Sequence, residues 1–169
     1  MYQAGDLDQA VEHIRRAIAL DAAKGVYHNN LGAALRAQGK RDEAVAAYRQ
    51  ALAIKPDYPD ALSNLATALH ELGQYEGVEP IFAQALKLQP AHADALYNLA
   101  NFHRDLGRTA QAVDGYRRAL ALQPHRTDVL NNLGAALVTE QRPEEAAACF
   151  NRAVALDAGC AEAHLNLGT

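Results

Sequence analysis

The chain has 169 residues, of which 50% are hydrophobic and only 6% aromatic, and its formal net charge is −4. This length fits one domain or one short repeat array, and a composition rich in alanine and leucine favours packed helices over a β-sandwich. The acidic balance lacks the basic footprint of a nucleic-acid-binding protein. No apolar run approaches the length of a membrane span, and residues 1–6 contain neither the basic start nor the apolar stretch of a signal peptide.

Hydrophobic periodicity predicts ten helices along the chain. They lie near residues 8–21, 25–38, 42–55, 59–72, 76–89, 93–106, 110–123, 127–140, 144–157 and 161–168. In the fourth, Leu62, Leu65, Ala66 and Leu69 follow the i, i+3, i+4, i+7 spacing of one apolar stripe. Residues 1–5 have the pattern of the tail of a preceding helix, and the chain ends within the tenth helix. We therefore expect a fragment of a longer protein.

The sequence repeats itself every 34 residues, which is the mark of a repeat architecture. The segment Asn-Leu-Gly or Asn-Leu-Ala begins at residues 30, 64, 98, 132 and 166. The Gly or Ala that ends this segment lies on the first helix of each repeat, and its small size is expected to let the second helix approach closely. A large hydrophobic residue on that second helix, at positions 14, 48, 82, 116 and 150, is expected to fill the space beside it. Glycines at 5, 39, 73 and 107 are placed to end first helices, and prolines at 56, 90 and 124 to stop second helices.

The helix predicted near residues 76–89, the second helix of its repeat, has an irregular start. Gly77-Val78-Glu79-Pro80 replaces the small residues that usually begin a second helix. Pro80 cannot donate a backbone hydrogen bond, but this costs nothing in the first turn of a helix. We therefore predict a late helix start here. A functional hinge is the alternative.

These positions resemble the tetratricopeptide repeat (TPR) family, whose pattern includes Leu-Gly, a large hydrophobe, Ala, an aromatic, Ala and Pro in each 34-residue unit. The resemblance covers essentially the whole chain. It implies an all-α fold, a right-handed α-α superhelix of antiparallel helix hairpins. Residues 1–169 are then a single TPR array, with a partial repeat at 1–24, full repeats at 25–58, 59–92, 93–126 and 127–160, and a partial repeat at 161–169.

Polar residues recur on the first helices, and stacked repeats would align them as ladders. One ladder is Asn30, Asn64, Asn98, Asn132 and Asn166. The second is Val26, Asp60, Asp94, Asp128 and Glu162, and Asn101, Thr67 and Glu71 share the same stripe. A carboxamide both donates and accepts hydrogen bonds, so an asparagine ladder can hold an extended peptide backbone. The acidic ladder is expected to read side chains, by accepting from Ser or Thr or attracting Lys and Arg. Local hydrogen bonding, and the helix dipole for the aspartates, are the structural alternatives.

Within the family, residues 55–66 and 90–101 resemble the repeats of O-linked N-acetylglucosamine transferase. That resemblance implies that a substrate polypeptide contacts the asparagine and aspartate ladders, with Val26 departing from the pattern. Arrays that grip a C-terminal carboxylate are disfavoured, because this stripe carries mostly Asn, Asp, Ser and Thr rather than Lys and Arg.

The sequence contains no motif of an active site: no phosphate-binding loop, no His-Glu-x-x-His and no serine elbow. His28 and His164 occupy one repeat position 136 residues apart and are not expected to share a metal. His103 replaces a leucine position and is expected to be half-buried with a hydrogen-bond partner. Cys149 and Cys160 match no disulfide framework or zinc pattern and are interpreted as small, buried or half-buried hydrophobes.

We therefore predict a non-enzymatic, cytoplasmic scaffold without cofactor or metal, binding an extended protein or peptide and neither nucleic acid nor membrane. The alternative is the substrate-recruiting TPR region of a larger glycosyltransferase. We also expect self-association through the array ends, where Val11, Ile14 and Ile18, and Leu165 and Leu167, lack a neighbouring helix.

Overall fold

The computed structural model of the chain describes residues 4–168, and all regular structure within that range is α-helical. The ten helices are α1 (Ala4–Leu20), α2 (Gly25–Ala37), α3 (Arg41–Ile54), α4 (Pro59–Glu71), α5 (Val78–Leu88), α6 (Ala93–Asp105), α7 (Thr109–Leu122), α8 (Thr127–Thr139), α9 (Pro143–Leu156) and α10 (Ala161–Leu167). They agree with the predicted helices to within two residues at each end, except at the start of α1. The all-α fold built from successive helix hairpins is confirmed.

The first helix corrects the interpretation of the N-terminal residues. Helix α1 begins at Ala4, so Gly5 lies inside it and does not end a preceding helix. Residues 1–3 and Thr169, where the chain was predicted to begin and end within a repeat, lie outside the described residues.

The helices form two compact units, residues 1–90 with α1–α5 and residues 91–169 with α6–α10. Within unit 1, α2 packs on α3 and α4 on α5; within unit 2, α6 packs on α7 and α8 on α9. Neighbouring hairpins meet through α3 with α4 and through α7 with α8. Each unit buries alanines, leucines and at least one aromatic ring per hairpin, and Tyr48, Phe82 and Tyr116 are fully buried.

The small positions on the first helices are filled as predicted. A Cβ atom added to Gly32 would lie 2.5 Å from the ring of Tyr48, and one added to Gly134 would lie 2.4 Å from the ring of Phe150. Both distances are far below carbon–carbon contact, which is about 3.5–4.0 Å. The rings of the second helices therefore pack directly on the backbone of the first helices.

The start of α5 confirms the predicted late helix start. Gly77 is the N-cap in the left-handed conformation, with φ of 79°, and Val78 is the first helical residue. Pro80 is the third, where a backbone N–H would have no partner within the helix. The irregular segment therefore shortens α5 to 11 residues, against 14 in α3, α7 and α9.

Candidate functional site: a polar face on the first helices

The candidate residues lie on α2 and α4 in unit 1 and on α6, α8 and α10 in unit 2. We call the surface that these residues form in each unit the polar face of that unit. Asn64, Asn98, Asn101 and Asn132 are half-buried, and Asn30, Asn166, Asp60, Asp94 and Asp128 are exposed. The residues predicted to contact a peptide thus fall into two sets. Asn30, Asn64 and Asp60 lie in unit 1, and the others lie in unit 2.

In unit 1 the asparagine ladder is tied to the fold by one hydrogen bond. The Nδ2 of Asn64 donates to Oδ1 of Asn29 over 3.0 Å, and Asn29 is buried. The neighbouring Thr67 is also buried, and its hydroxyl donates to the backbone carbonyl of Ser63 over 2.8 Å. Thr67, which was predicted to share the polar stripe, is therefore buried, and its hydroxyl bonds to its own helix.

In unit 2 a hydrogen-bonded cluster links α6, α7 and α8. The Nδ2 of Asn132 donates to the Tyr97 hydroxyl over 3.0 Å and to Oδ1 of Asn101 over 3.2 Å. The buried Tyr116 hydroxyl donates to the same Asn101 oxygen over 2.7 Å. Among residues 91–168, the described part of unit 2, the Asn98 side chain forms no such hydrogen bond. Asn64 and Asn132 are therefore less open than predicted, because Asn64 has one of its two side-chain N–H donors engaged and Asn132 has both.

The acidic ladder of unit 2 is occupied by a cation that the sequence analysis did not anticipate. Arg126, in the turn between α7 and α8, forms ion pairs with both Asp94 and Asp128. Its Nε and Nη2 contact the two oxygens of Asp128 at 3.1 and 2.6 Å. Its guanidinium carbon lies 4.6 Å from the centroid of the Tyr97 ring, within cation–π range. The two aspartates and this arginine carry a net charge of −1.

Burial and Arg126 act in opposite directions on Asp128. Burial raises the pKa of the Asp128 carboxyl, but the hydrogen bonds and charge of Arg126 outweigh it, so that the pKa lies below its usual value. At Tyr116, burial raises the pKa of the phenol and the nearby Arg104 only partly opposes this. Tyr116 is therefore a neutral hydrogen-bond donor to Asn101 at every physiological pH.

Models of one family match the chain in three places. A TPR repeat model matches residues 32–73, and two tetratricopeptide repeat models match residues 61–94 and 92–158. The chain is a tetratricopeptide repeat protein. No curated protein matches its sequence significantly. The three models describe the repeat and not the glycosyltransferase, so they leave the finer resemblance to O-linked N-acetylglucosamine transferase as a hypothesis.

Solved structures share the fold of this TPR chain at low sequence identity. A crystal structure of MamA is 18% identical with a TM-score of 0.76, covering 94% of this chain and 97% of that one. YrrB, described as a TPR protein with an unusual peptide-binding site, is 18% identical with a TM-score of 0.73, covering 98% and 85%. The pilF protein of Pseudomonas aeruginosa is 24% identical with a TM-score of 0.79, covering 87% and 67%. At these identities the likeness concerns the fold alone.

Three other side chains of the TPR chain were considered from the sequence, and all three are at least partly buried. His103 is buried, more deeply than predicted, and its ring lies 6.2 Å from that of Phe102. Cys149 and Cys160 are half-buried, as predicted, and free of a disulfide. Within residues 4–168 no group of three His, Cys, Asp or Glu side chains is arranged to hold a metal. In the same range no helix is long and apolar enough to cross a membrane.

Two features of the polar face escaped the sequence analysis. Asn29 was overlooked because it precedes the ladder, although the tandem pairs Asn29-Asn30 and Asn131-Asn132 were a visible signal. Arg126 was overlooked because it lies outside the predicted helices, although it stands two residues before Asp128. Arg126 therefore places one cation beside this stripe. A C-terminal carboxylate remains disfavoured at this position, since Asp94 and Asp128 surround the arginine.

Proposed function

We propose that the chain is a protein-interaction scaffold that binds an extended polypeptide through the polar faces of its units. TPR arrays present extended surfaces formed by stacked repeats and are generally protein-binding scaffolds rather than enzymes. The residues that we assign to peptide contact are Asn30, Asn64, Asn98, Asn101, Asn132 and Asn166, with Asp60, Asp94 and Asp128.

The observation that carries this proposal is the fixed orientation of Asn64 and Asn132. Asn64 donates one Nδ2 proton to a side chain on a neighbouring first helix and Asn132 donates both, which fixes the orientation of each Oδ1. An acceptor that is already ordered loses less conformational entropy on binding than a mobile one. The backbone N–H groups of an extended peptide are suitable donors, and Asn98 is available to both accept and donate.

The binding test begins with peptides selected from a displayed random library, because the partner is not identified. We expect Asn98→Ala to weaken binding by about two- to tenfold, as for one neutral hydrogen bond, and the triple change of Asn64, Asn98 and Asn132 to alanine to abolish it nearly completely. Fluorescence anisotropy of labelled peptides measures the dissociation constants. Asn151→Ala, an exposed asparagine on α9, is the matched control.

Stability must be measured beside binding. Asn64→Ala leaves the buried Asn29 without its donor, which costs about 1–3 kcal/mol, whereas Asn98→Ala leaves the fold intact. The proposal is wrong if the folded triple variant binds the selected peptides as tightly as the parent does. If Asn98→Ala and Asn151→Ala have the same effect, Asn98 is not a contact residue.

A second proposal is that the chain is the non-catalytic, substrate-recruiting region of a larger glycosyltransferase of the O-linked N-acetylglucosamine transferase type. It is supported by the recurrence of Asn and Asp at the positions that the resemblance assigns to substrate contact. The test is the coding sequence after Thr169 in the parent gene. A glycosyltransferase domain there supports this proposal, and a complete gene without one contradicts it.

A further inference from the structure

The surroundings of Arg126 in unit 2 are those of a bound guanidinium. Four of its five N–H donors are engaged, to Asp128 through Nε and Nη2, and to Asp94 and Gln123 through Nη1. The Tyr97 ring lies beneath its plane. Two carboxylates beside an aromatic face are the groups that recognise an arginine side chain in proteins.

The pocket walls are held independently of Arg126. The Tyr97 hydroxyl accepts from Asn132, Asp94 lies in the first turn of α6 and Asp128 in the first turn of α8. Removing the guanidinium therefore leaves the Tyr97 ring held by Asn132, and the two carboxylates carried on α6 and α8. The Arg126 side chain is itself 22% exposed, so solvent reaches the pocket.

The arrangement occurs once among the described repeats. At the position of Arg126 the other repeats carry Lys24, Tyr58, His92 and Cys160, and at the position of Tyr97 they carry Asn29, Ser63, Asn131 and Leu165. The preceding pair of repeats also has aspartate on both first helices, at positions 60 and 94, but carries His92 and Ser63 in place of the arginine and tyrosine, so all four residues coincide once.

We propose that Asp94, Tyr97 and Asp128 form a guanidinium-binding pocket that the chain's own Arg126 fills, and that Arg126 thereby excludes Lys and Arg side chains of a bound peptide from this part of the polar face. The pocket itself does not depend on peptide binding. Its role in selecting peptides rests on the proposed function above. Arg126 is in this sense a specificity-determining residue, since a basic peptide side chain must displace it to reach the two aspartates.

The first experiment tests the pocket without any peptide. N-acetyl-L-arginine amide is titrated into the parent and into Arg126→Met, with N-acetyl-L-citrulline amide as the uncharged ligand of the same shape, and the Tyr97 signals are followed by NMR. We expect Arg126→Met to bind the arginine compound about tenfold or more tighter than the parent, and tighter than the citrulline compound. Adding Asp94→Asn should reverse the gain.

The controls separate the pocket from a general change of charge. Arg118→Met removes an exposed arginine that pairs with Asp114 on the same helix and should give no gain. If Arg126→Met does not fold, Arg126→Lys keeps the charge but cannot bridge both carboxylates, and a smaller gain is expected. Equal binding by the parent and by whichever variant folds, or equal binding of arginine and citrulline compounds, overturns the pocket.

The second experiment tests selectivity with the library-selected peptides. Each peptide is compared with copies carrying a single Arg in place of Ala at successive positions. For at least one position we expect Arg126→Met to favour the Arg copy by about tenfold and the parent to show no such preference. If the arginine compound binds the variant but no peptide binds either protein, the proposed function fails and the pocket stands. If peptides bind and no position shows the gain, the selectivity role fails.

Discussion

The contact between Gly134 and Phe150 shows how one atom sets the distance between two helices. A Cβ atom at position 134 would lie 2.4 Å from the Phe150 ring, and Phe150 is buried between α8 and α9. We expect Gly134→Ala to reduce the free energy of unfolding by about 1–3 kcal/mol, as overpacking does in other cores. Urea denaturation followed by circular dichroism measures the loss.

A smaller side chain at position 150 should relieve this collision. In a double-mutant cycle, Phe150→Leu should cost less in the Gly134→Ala background than in the parent, because the leucine leaves room for the added methyl group. Additive losses would show that the two residues do not compete for the same space, and the proposed origin of the small positions would be wrong.

The ion pairs of Arg126 predict a pH-dependent contribution to stability. The pKa of Asp128 is below its usual value in the folded chain, so the contribution is complete above the unfolded-state pKa of about 3.9 and is lost as the pH falls through the folded-state pKa. Because both aspartates are largely exposed, we expect Arg126→Met to cost only about 0.2–1 kcal/mol at pH 7. The difference from the parent should vanish below the folded-state pKa in thermal melts. A difference that persists unchanged at pH 2 would indicate lost packing rather than lost charge.

At the scale of the helix, four first helices are followed by a residue in the same left-handed conformation, which is glycine in three of them and glutamine in the fourth. Gly39, Gly73 and Gly107 follow α2, α4 and α6 with φ of 71–78°, and Gln141 follows α8 with φ of 59°. In each case the next residue donates its N–H back to the last turn, for example from Arg142 to Leu137 over 2.9 Å. Gln141 therefore adopts a left-handed conformation that disfavours any side chain.

This comparison predicts a stabilising substitution. Gln141→Gly should raise the free energy of unfolding by up to about 1 kcal/mol, since the left-handed conformation costs roughly 1–2 kcal/mol for a residue with a Cβ and glycine gives part of this back in chain entropy. The reciprocal change, Gly107→Gln, should lower it by a similar amount. Chemical denaturation of the two variants checks both signs, and a loss of stability in Gln141→Gly would contradict the account.

The helices were predictable because the 34-residue period repeats both the apolar stripe and the residues that end each helix. The start of α1 was not predictable, since Gly5 occupies the repeat position at which glycine ends a first helix. The repeat pattern alone could not show that Gly5 lies inside a helix instead. On the polar face, periodicity gave the positions of Asn64 and Asn132 but not their hydrogen bonds. Those depend on Asn29 and Tyr97, which lie one residue off the ladder and reach it through their side chains.

The limit was the same for the acidic ladder. Asp94 and Asp128 were placed correctly, but Arg126 lies 32 residues from one and two residues from the other. A long side chain in a turn has no period that fixes its direction. Sequence periodicity therefore predicts which residues lie on a helix face. It does not predict which of them already form hydrogen bonds or ion pairs with other side chains of the same protein.

At the scale of the whole molecule, the predicted contacts between array ends differ in strength. Leu165 on the seven-residue helix α10 is 80% exposed and Leu167 is half-buried. At the other end, Val11 is already buried, and Ile14 and Ile18 are half-buried. Burying apolar area favours association at about 25 cal/mol per Å², so the C-terminal leucines have more to gain from a second copy than Val11, Ile14 and Ile18 do.

We therefore predict that this chain self-associates at high concentration mainly through α10. Sedimentation velocity over a range of concentrations should show a dimer in the parent and its weakening by Leu165→Lys combined with Leu167→Lys. Leu88→Lys, which changes an exposed leucine at the end of α5, is the matched control and should leave the dimer unchanged. An Ile18→Lys variant with the same loss as the leucine pair would assign the contact to both ends. A parent that stays monomeric at several hundred micromolar would contradict the prediction, because an exposed leucine of this size would then be tolerated without a partner, as single surface hydrophobes often are.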